Sequence, residues 1–215
     1  MSVRSLALAA ALASAPLLAG CQSVYYDTME VLGREKRDLL QGEIRGMVGD
    51  QRAAEAAFVD ALTRVKGLTA FEGGDLERAY DRLSDSADDA RAAVADIDDR
   101  MEEIVEVASD LFVEWALETE QIQSPELKAS SRAKLRETRL RYDEMVRGLQ
   151  RTRRSMDPVL TRLNDNVLYL KHNLNAAAIG SLGTEMRDIE TGIQDLRASI
   201  EASIREAESF IQAMP

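Results

Sequence analysis

Residues 76–122 read LERAYDRLSDSADDARAAVADIDDRMEEIVEVASDLFVEWALETEQI, and this stretch decides the fold. Leu76, Tyr80, Leu83, Ala87, Ala90, Val94, Ile97, Met101, Ile104, Ala108, Leu111, Trp115, Glu118 and Ile122 recur in alternating steps of four and three. All but Glu118 are apolar or Tyr, so the spacing lays one apolar stripe along an α-helix. Sustained over roughly seven heptads, the repeat predicts coiled-coil-like packing, and at ~1.5 Å per residue the helix is ~70 Å long.

Working outward, the same spacing runs upstream through Leu40, Ile44, Met47, Gln51, Ala54, Phe58, Ala61, Val65 and Leu68, with Gln51 the only polar member. This predicts a first helix from about Asp27 to Ala70. Phe71-Glu72-Gly73-Gly74-Asp75 ends it, the glycines permitting a helix stop and Asp75 capping the next helix. Downstream, Ser124-Pro125 closes the second helix and opens the third, with Ser124 as N-cap and Pro125 at the first helical position, where a missing N–H costs nothing. The third helix carries Leu135, Arg139, Tyr142, Val146, Leu149, Arg153, Met156, Leu160, Leu163, Val167, Leu170, Leu174 and Ala177. Pro158 interrupts its hydrogen bonding at a cost of ~3 kcal/mol, yet the stripe keeps phase across it, which predicts a kink and not a break. A hinge is the functional alternative. The phase is lost after Asn175, placing a turn within Asn175–Gly183. A fourth helix follows on Leu182, Met186, Ile189, Ile193, Leu196, Ile200, Ser203, Ala207, Phe210 and Met214. The expected fold is all-α: an elongated antiparallel four-helix bundle.

Charge divides by helix. Residues 72–122 hold 17 acidic and 4 basic side chains, whereas residues 126–154 hold 4 acidic and 10 basic. An acidic second helix should therefore face a basic third one, which selects partners more than it stabilises, since each exposed pair is worth ~0–1 kcal/mol. The competing reading of the basic stretch is a site for anionic lipid or another polyanion.

The first twenty residues have one positive charge, Arg4, then an apolar run from Leu6 to Ala19 that is too short to span a bilayer of ~30 Å. Leu18-Ala19-Gly20-Cys21 follows in the order of a bacterial lipobox. Residues 1–20 are then a lipoprotein signal peptide, Cys21 is the lipidated first residue of the mature chain, 21–26 form a short tether and 27–215 a single helical domain. The alternative is a buried anchoring helix with a free thiol. Gln22 after the cysteine implies the outer membrane, on its periplasmic face. Cys21 is the only cysteine, so no intrachain disulfide can form. The formal net charge of -11 makes nucleic acid an improbable partner.

Tyr26-Asp27-Thr28-Met29-Glu30, Glu35-Lys36-Arg37-Asp38, Phe71-Glu72-Gly73-Gly74, Leu111-Phe112-Val113-Glu114-Trp115, Pro158-Val159-Leu160 and above all Val167 to Ala176 (VLYLKHNLNA) occur in this order. In them the chain resembles the bacterial DUF2959 family across essentially its whole mature length. The resemblance implies a secreted lipoprotein or periplasmic protein, and it brings no activity, cofactor or catalytic residue.

The residues point to no enzyme. His172 is the sole histidine, and Cys21 is taken by lipid, so no Cys/His pair or zinc spacing exists; Gly180-Ser181-Leu182-Gly183 lacks the spacing of a nucleophile elbow. Neighbouring carboxylates such as Asp98/Glu102 and Glu102/Glu106 read as a solvated helix face. No cofactor or metal is expected.

The candidate binding surface is the far end of the bundle. Leu170 and Leu174 face the axis, so Leu168 and Tyr169 leave from a second side, with Lys171, His172, Asn173 and Asn175 around them. Either the fourth helix and its turn cover this side while the amides cap the turn, or it receives a partner. Helix lengths place it beside the Gly73-Gly74 turn, ~60–70 Å from the anchor. Gly42, Gly46 and Gly49 line an outward face of the first helix, either a close contact in a homo-oligomer or a tolerated weak segment. The expectation is a lipid-anchored structural or interaction protein of the envelope, bound to the membrane through Cys21 and to an envelope protein at the distal turns. The alternative is a lipid-binding or membrane-remodelling module.

Overall fold

The computed structural model describes residues 20–69 and 75–214 of the chain. Four helices account for them: α1 (Gly20–Thr69), α2 (Leu76–Gln121), α3 (Pro125–His172) and α4 (Ala176–Ala213). Each packs on its chain neighbour, and α4 returns to α1, closing an antiparallel four-helix bundle. No described helix is long and apolar enough to cross a membrane.

The stripes form the core. All nine positions of the first stripe, Leu40 through Leu68, are buried, and Leu83, Ala87, Ala90, Val94, Ile97, Ile104, Ala108 and Leu111 are buried on α2. These join Leu149, Met156, Leu163 and Leu170 of α3 and Ile189, Ile193, Leu196, Ile200 and Phe210 of α4 in one continuous cluster. Burying each large aliphatic or aromatic side chain contributes ~1.5–3 kcal/mol, so the heptad pattern fixes the fold. Arg139 is the exception: though on the third stripe it is exposed, its guanidinium 5.5 Å from the centre of the Phe112 ring. A cation over an aromatic face keeps its water and still covers the ring.

The helix ends follow the capping chemistry. Asp75 accepts from the Arg78 backbone N–H at 3.0 Å. Ser124 accepts from the Leu127 N–H at 3.3 Å, with Pro125 starting α3. Two boundaries differ from expectation. The helix α1 begins at Gly20 and so takes in residues 21–26, expected as a tether. The last turn is Asn173–Asn175, not Asn175–Gly183, because α4 starts at Ala176. Three consecutive alanines, the best helix formers, outweigh the ~1 kcal/mol deficits of Gly180 and Gly183. The helix α3 runs unbroken through Pro158, which is exposed.

The charge division appears in the ion pairs between helices. Arg153 grips Asp98 with two bonds of 2.7 and 2.8 Å, and Arg132 grips Glu120 likewise, joined by Lys128. Asp98, before Asp157, holds the Arg153 guanidinium above its ordinary pKa. The only basic residue of α2 near mid-helix, Arg100, turns the other way and binds Glu43 and Asp50 of α1 at 2.6 and 3.0 Å.

Candidate interaction surfaces

At the end formed by the tips of α1 and α3, Thr69 Oγ1 donates to Met186 Sδ at 3.4 Å and Lys66 pairs with Glu190 at 2.6 Å. The ends of α1 and α3 and the start of α4 therefore meet there, as the helix lengths require. Gly73 and Gly74 lie outside the described residues. The amides behave in two ways. Asn173 Nδ2 donates to the Tyr169 carbonyl at 3.0 Å and caps α3, and the buried Asn166 donates to the Arg162 carbonyl at 2.7 Å. Asn164 Oδ1 accepts from Arg91 of α2.

The helix α4 does not cover the second side of α3. Leu168 is 60% exposed and Tyr169 44%, and Lys171, His172, Asn173 and Asn175 are exposed beside them. With Leu170 fully buried, this last stretch of α3 is apolar on its core face and on part of its solvent face. An apolar pair rimmed by Lys171 and His172 has the composition of a contact surface.

The opposite end holds what sequence reasoning missed. The Gln41 amide of α1 donates to Met214 Sδ just past the end of α4, and Ala213 lies beside Lys134 and Thr138 of α3. From Thr138 back to Pro125, α3 continues for ~20 Å without α4 at its side. Among the described residues only α1, α2 and α3 are present here, and the seat α4 occupies elsewhere becomes an open cleft of about 450 Å³. Trp115, Leu111, Ile122 and Leu127 form its apolar part, with Arg37, Glu118 and Lys134 at its edges. Trp115 Nε1 donates to Ser131 Oγ at 3.1 Å, and Ser131 is 2.7 Å from Thr119 Oγ1, so the polar atoms under the cleft satisfy one another. Leu127, Val113 and Leu117 nearby are more than half exposed. The sequence carried one signal of this cleft. Trp115, Glu118 and Ile122, the last members of the second stripe, include its only charged residue, where a complete bundle would need an apolar one.

The carboxylates at this end are unequal. Glu114 pairs with Lys36 at 2.9 Å, which raises the Lys36 pKa chiefly through that hydrogen bond. Burial, then repulsion from Glu114, pushes the Glu118 carboxyl above its ordinary pKa, with Arg37 and Lys36 opposing. Farther along, burial pushes the Tyr142 hydroxyl up to about 12. Among the described residues no three His, Cys, Asp or Glu side chains are grouped to hold a metal ion.

A closed antiparallel bundle with one exposed apolar end patch and one open seat defines a class, the long all-α helical bundle. The particular family follows from residues 25–214, which match the family described as "Protein of unknown function (DUF2959)". The chain belongs to that family. No curated protein matches it.

Proposed function

We propose that this chain is a lipid-anchored, non-catalytic interaction protein of the bacterial envelope, tethered through Cys21 to the periplasmic face of the outer membrane and engaging an envelope protein with the far end of its bundle. The observation that carries this reading is the exposure of Leu168 and Tyr169 at the end of the bundle farthest from Cys21. A ~75 Å first helix, from its 50 residues, makes the molecule a spacer between an anchor and that contact. The apolar pair supplies the buried centre of a contact and Lys171 with His172 its polar rim. The test is a photo-crosslinking residue placed at Tyr169 or Leu168 in cells. A discrete partner band is expected there and not from an exposed position such as Gln194. Identical crosslinking from both positions overturns the proposal.

A second reading, a lipid-binding or membrane-remodelling module, is favoured by the exposed Leu127 and Leu140 among the cations of α3. Salt-sensitive sedimentation with anionic liposomes supports it; indifference to them supports the first reading.

A further inference from the structure

We propose that the cleft beside Trp115 is a binding site for a single alkyl chain with an anionic head, a long-chain fatty acid. The seat continues the established α1–α2–α3 surface that α4 covers elsewhere, so among the described residues its floor has the apolar character of a core without a fourth wall. Leu111 is buried, Trp115 and Ile122 are half-buried, and the Leu127 side chain stands open at the edge. The indole N–H is already committed to Ser131. An occupant therefore needs to offer no hydrogen bond to the floor, which suits a hydrocarbon.

The size of the cleft suits a small ligand. The cleft of about 450 Å³ lies within the usual range of small-ligand sites, ~300–1,000 Å³. An extended alkyl chain is narrow enough to lie along this seat against Trp115 and Leu111.

Charge sets the direction of the chain. Glu114 and Glu118 lie on the α2 wall, facing Lys36 and Arg37 of α1, and Glu114 is already paired with Lys36. On the α3 wall the cleft is edged by Ser130 and Lys134, while Lys128 and Arg132 nearby on α3 are bound to Glu120. Lys134 is exposed. A carboxylate head therefore sits on the α3 side, at Lys134 and the Ser130 hydroxyl, with the chain running past Leu127 onto Trp115.

Trp115 is the only tryptophan, which makes the site directly readable. The full chain carrying Cys21→Ser, so that it bears no lipid of its own, is titrated with dibromostearate below its micellar concentration while tryptophan emission is followed. Saturable quenching is expected, reversed by unbrominated stearate and much weaker with the methyl ester. Leu127→Glu, which puts a charge at an exposed edge position, and Ser130→Phe, which narrows the cleft, should each abolish saturation with the helical circular dichroism unchanged. Lys134→Glu should weaken binding about tenfold, as loss of a charged hydrogen-bond partner does. Absent quenching, quenching that stearate does not compete, or quenching unaltered in both Leu127→Glu and Ser130→Phe overturns the site. So does displacement of the probe by an amphipathic helical peptide but not by stearate, which would make the seat a helix-docking groove. None of these outcomes bears on the anchor at Cys21 or on the Leu168–Tyr169 surface.

Discussion

The guanidinium of Arg100, carried by α2, lies across the α1 backbone at Gly46, where a Cβ would stand 3.0 Å from both its Cζ and its Nε. Glu43 and Asp50, one turn to either side of Gly46, hold it there. Gly46 is thus a seat for a cross-helix ion pair. Gly42 and Gly49, by contrast, have nothing within 4 Å of an added Cβ. Of the glycine stripe, one member has a structural task within the chain, and the other two sit on its open surface.

The first prediction separates them. Gly42→Ala and Gly49→Ala should each stabilise the protein by ~0.5–1 kcal/mol, the usual gain from removing an exposed glycine inside a helix. Gly46→Ala should gain nothing, because the propensity benefit is offset by displacing Arg100, and Gly46→Val should lose stability. Urea unfolding midpoints at equal slope decide the matter. An equal gain at all three positions would show that Arg100 has no need of the seat.

The second prediction concerns a buried polar crossing of the core between α1 and α4. Gln51 is 1% exposed and its Nε2 donates to Ser203 Oγ at 2.9 Å, joining α1 to α4; its Oε1 has no hydrogen-bond partner. Ser203→Ala should destabilise by ~1–3 kcal/mol, since it strands the amide in an apolar layer. Combining it with Gln51→Leu should recover most of that loss, as replacing both partners by apolar groups is nearly neutral. The double-mutant cycle reads the coupling directly. A double variant as unstable as the sum of the two singles would contradict this.

A third prediction follows from Glu118. Its carboxyl titrates above its unfolded value because burial and Glu114 disfavour the charge. A carboxyl with a raised folded pKa lowers stability above that pKa, and the penalty fades as pH falls through it toward the unfolded value. Glu118→Gln should therefore stabilise at neutral pH, with the gain shrinking to nothing in acid below the unfolded carboxylate pKa. A gain that is constant with pH would assign the effect to packing instead of charge.

The fourth prediction addresses Pro158. The helix α3 is continuous through it, and the interior proline leaves the Arg154 carbonyl without its usual helical donor. Pro158→Ala should restore that bond and raise stability by ~1–3 kcal/mol, less than the full proline penalty if α3 bends at this point, because neighbours packed around a bend resist straightening. Spin labels at residues 143 and 171 measure the end-to-end distance. Lengthening in the variant confirms a bend; an unchanged distance shows that α3 is already straight.

Much of the architecture was legible because a heptad stripe states both the helix and its buried face. The stripe from Leu40 to Leu68 names nine residues, and all nine are buried. Asp75 and Ser124 are legible for the same local reason, a short polar side chain just ahead of a helix. What the stripe does not state is relative length and register. That α4 ends level with Thr138, leaving Trp115 and Ile122 on an open seat, depends on how four helices are staggered, which no single helix encodes. Arg100 was equally hidden: in sequence it is one cation on an acidic helix, and only the neighbouring α1 backbone gives Gly46 its meaning. At the Asn173–Asn175 turn, local signals conflicted, glycines pointing downstream and alanines deciding the outcome. That Leu168 and Tyr169 leave from a second side followed from phase, because residues adjacent to a buried Leu170 cannot all face one axis; that α4 leaves this side exposed did not, since it depends on where the fourth helix lies.

Lipidation at Cys21 is the premise on which the geometry of an anchored spacer rests, and metabolic labelling with an alkyne fatty acid, followed by membrane fractionation, reads it directly. The protein should carry the label and float with the outer membrane, and Cys21→Ser should carry none. An unlabelled protein, or label that survives Cys21→Ser, would contradict the anchored reading.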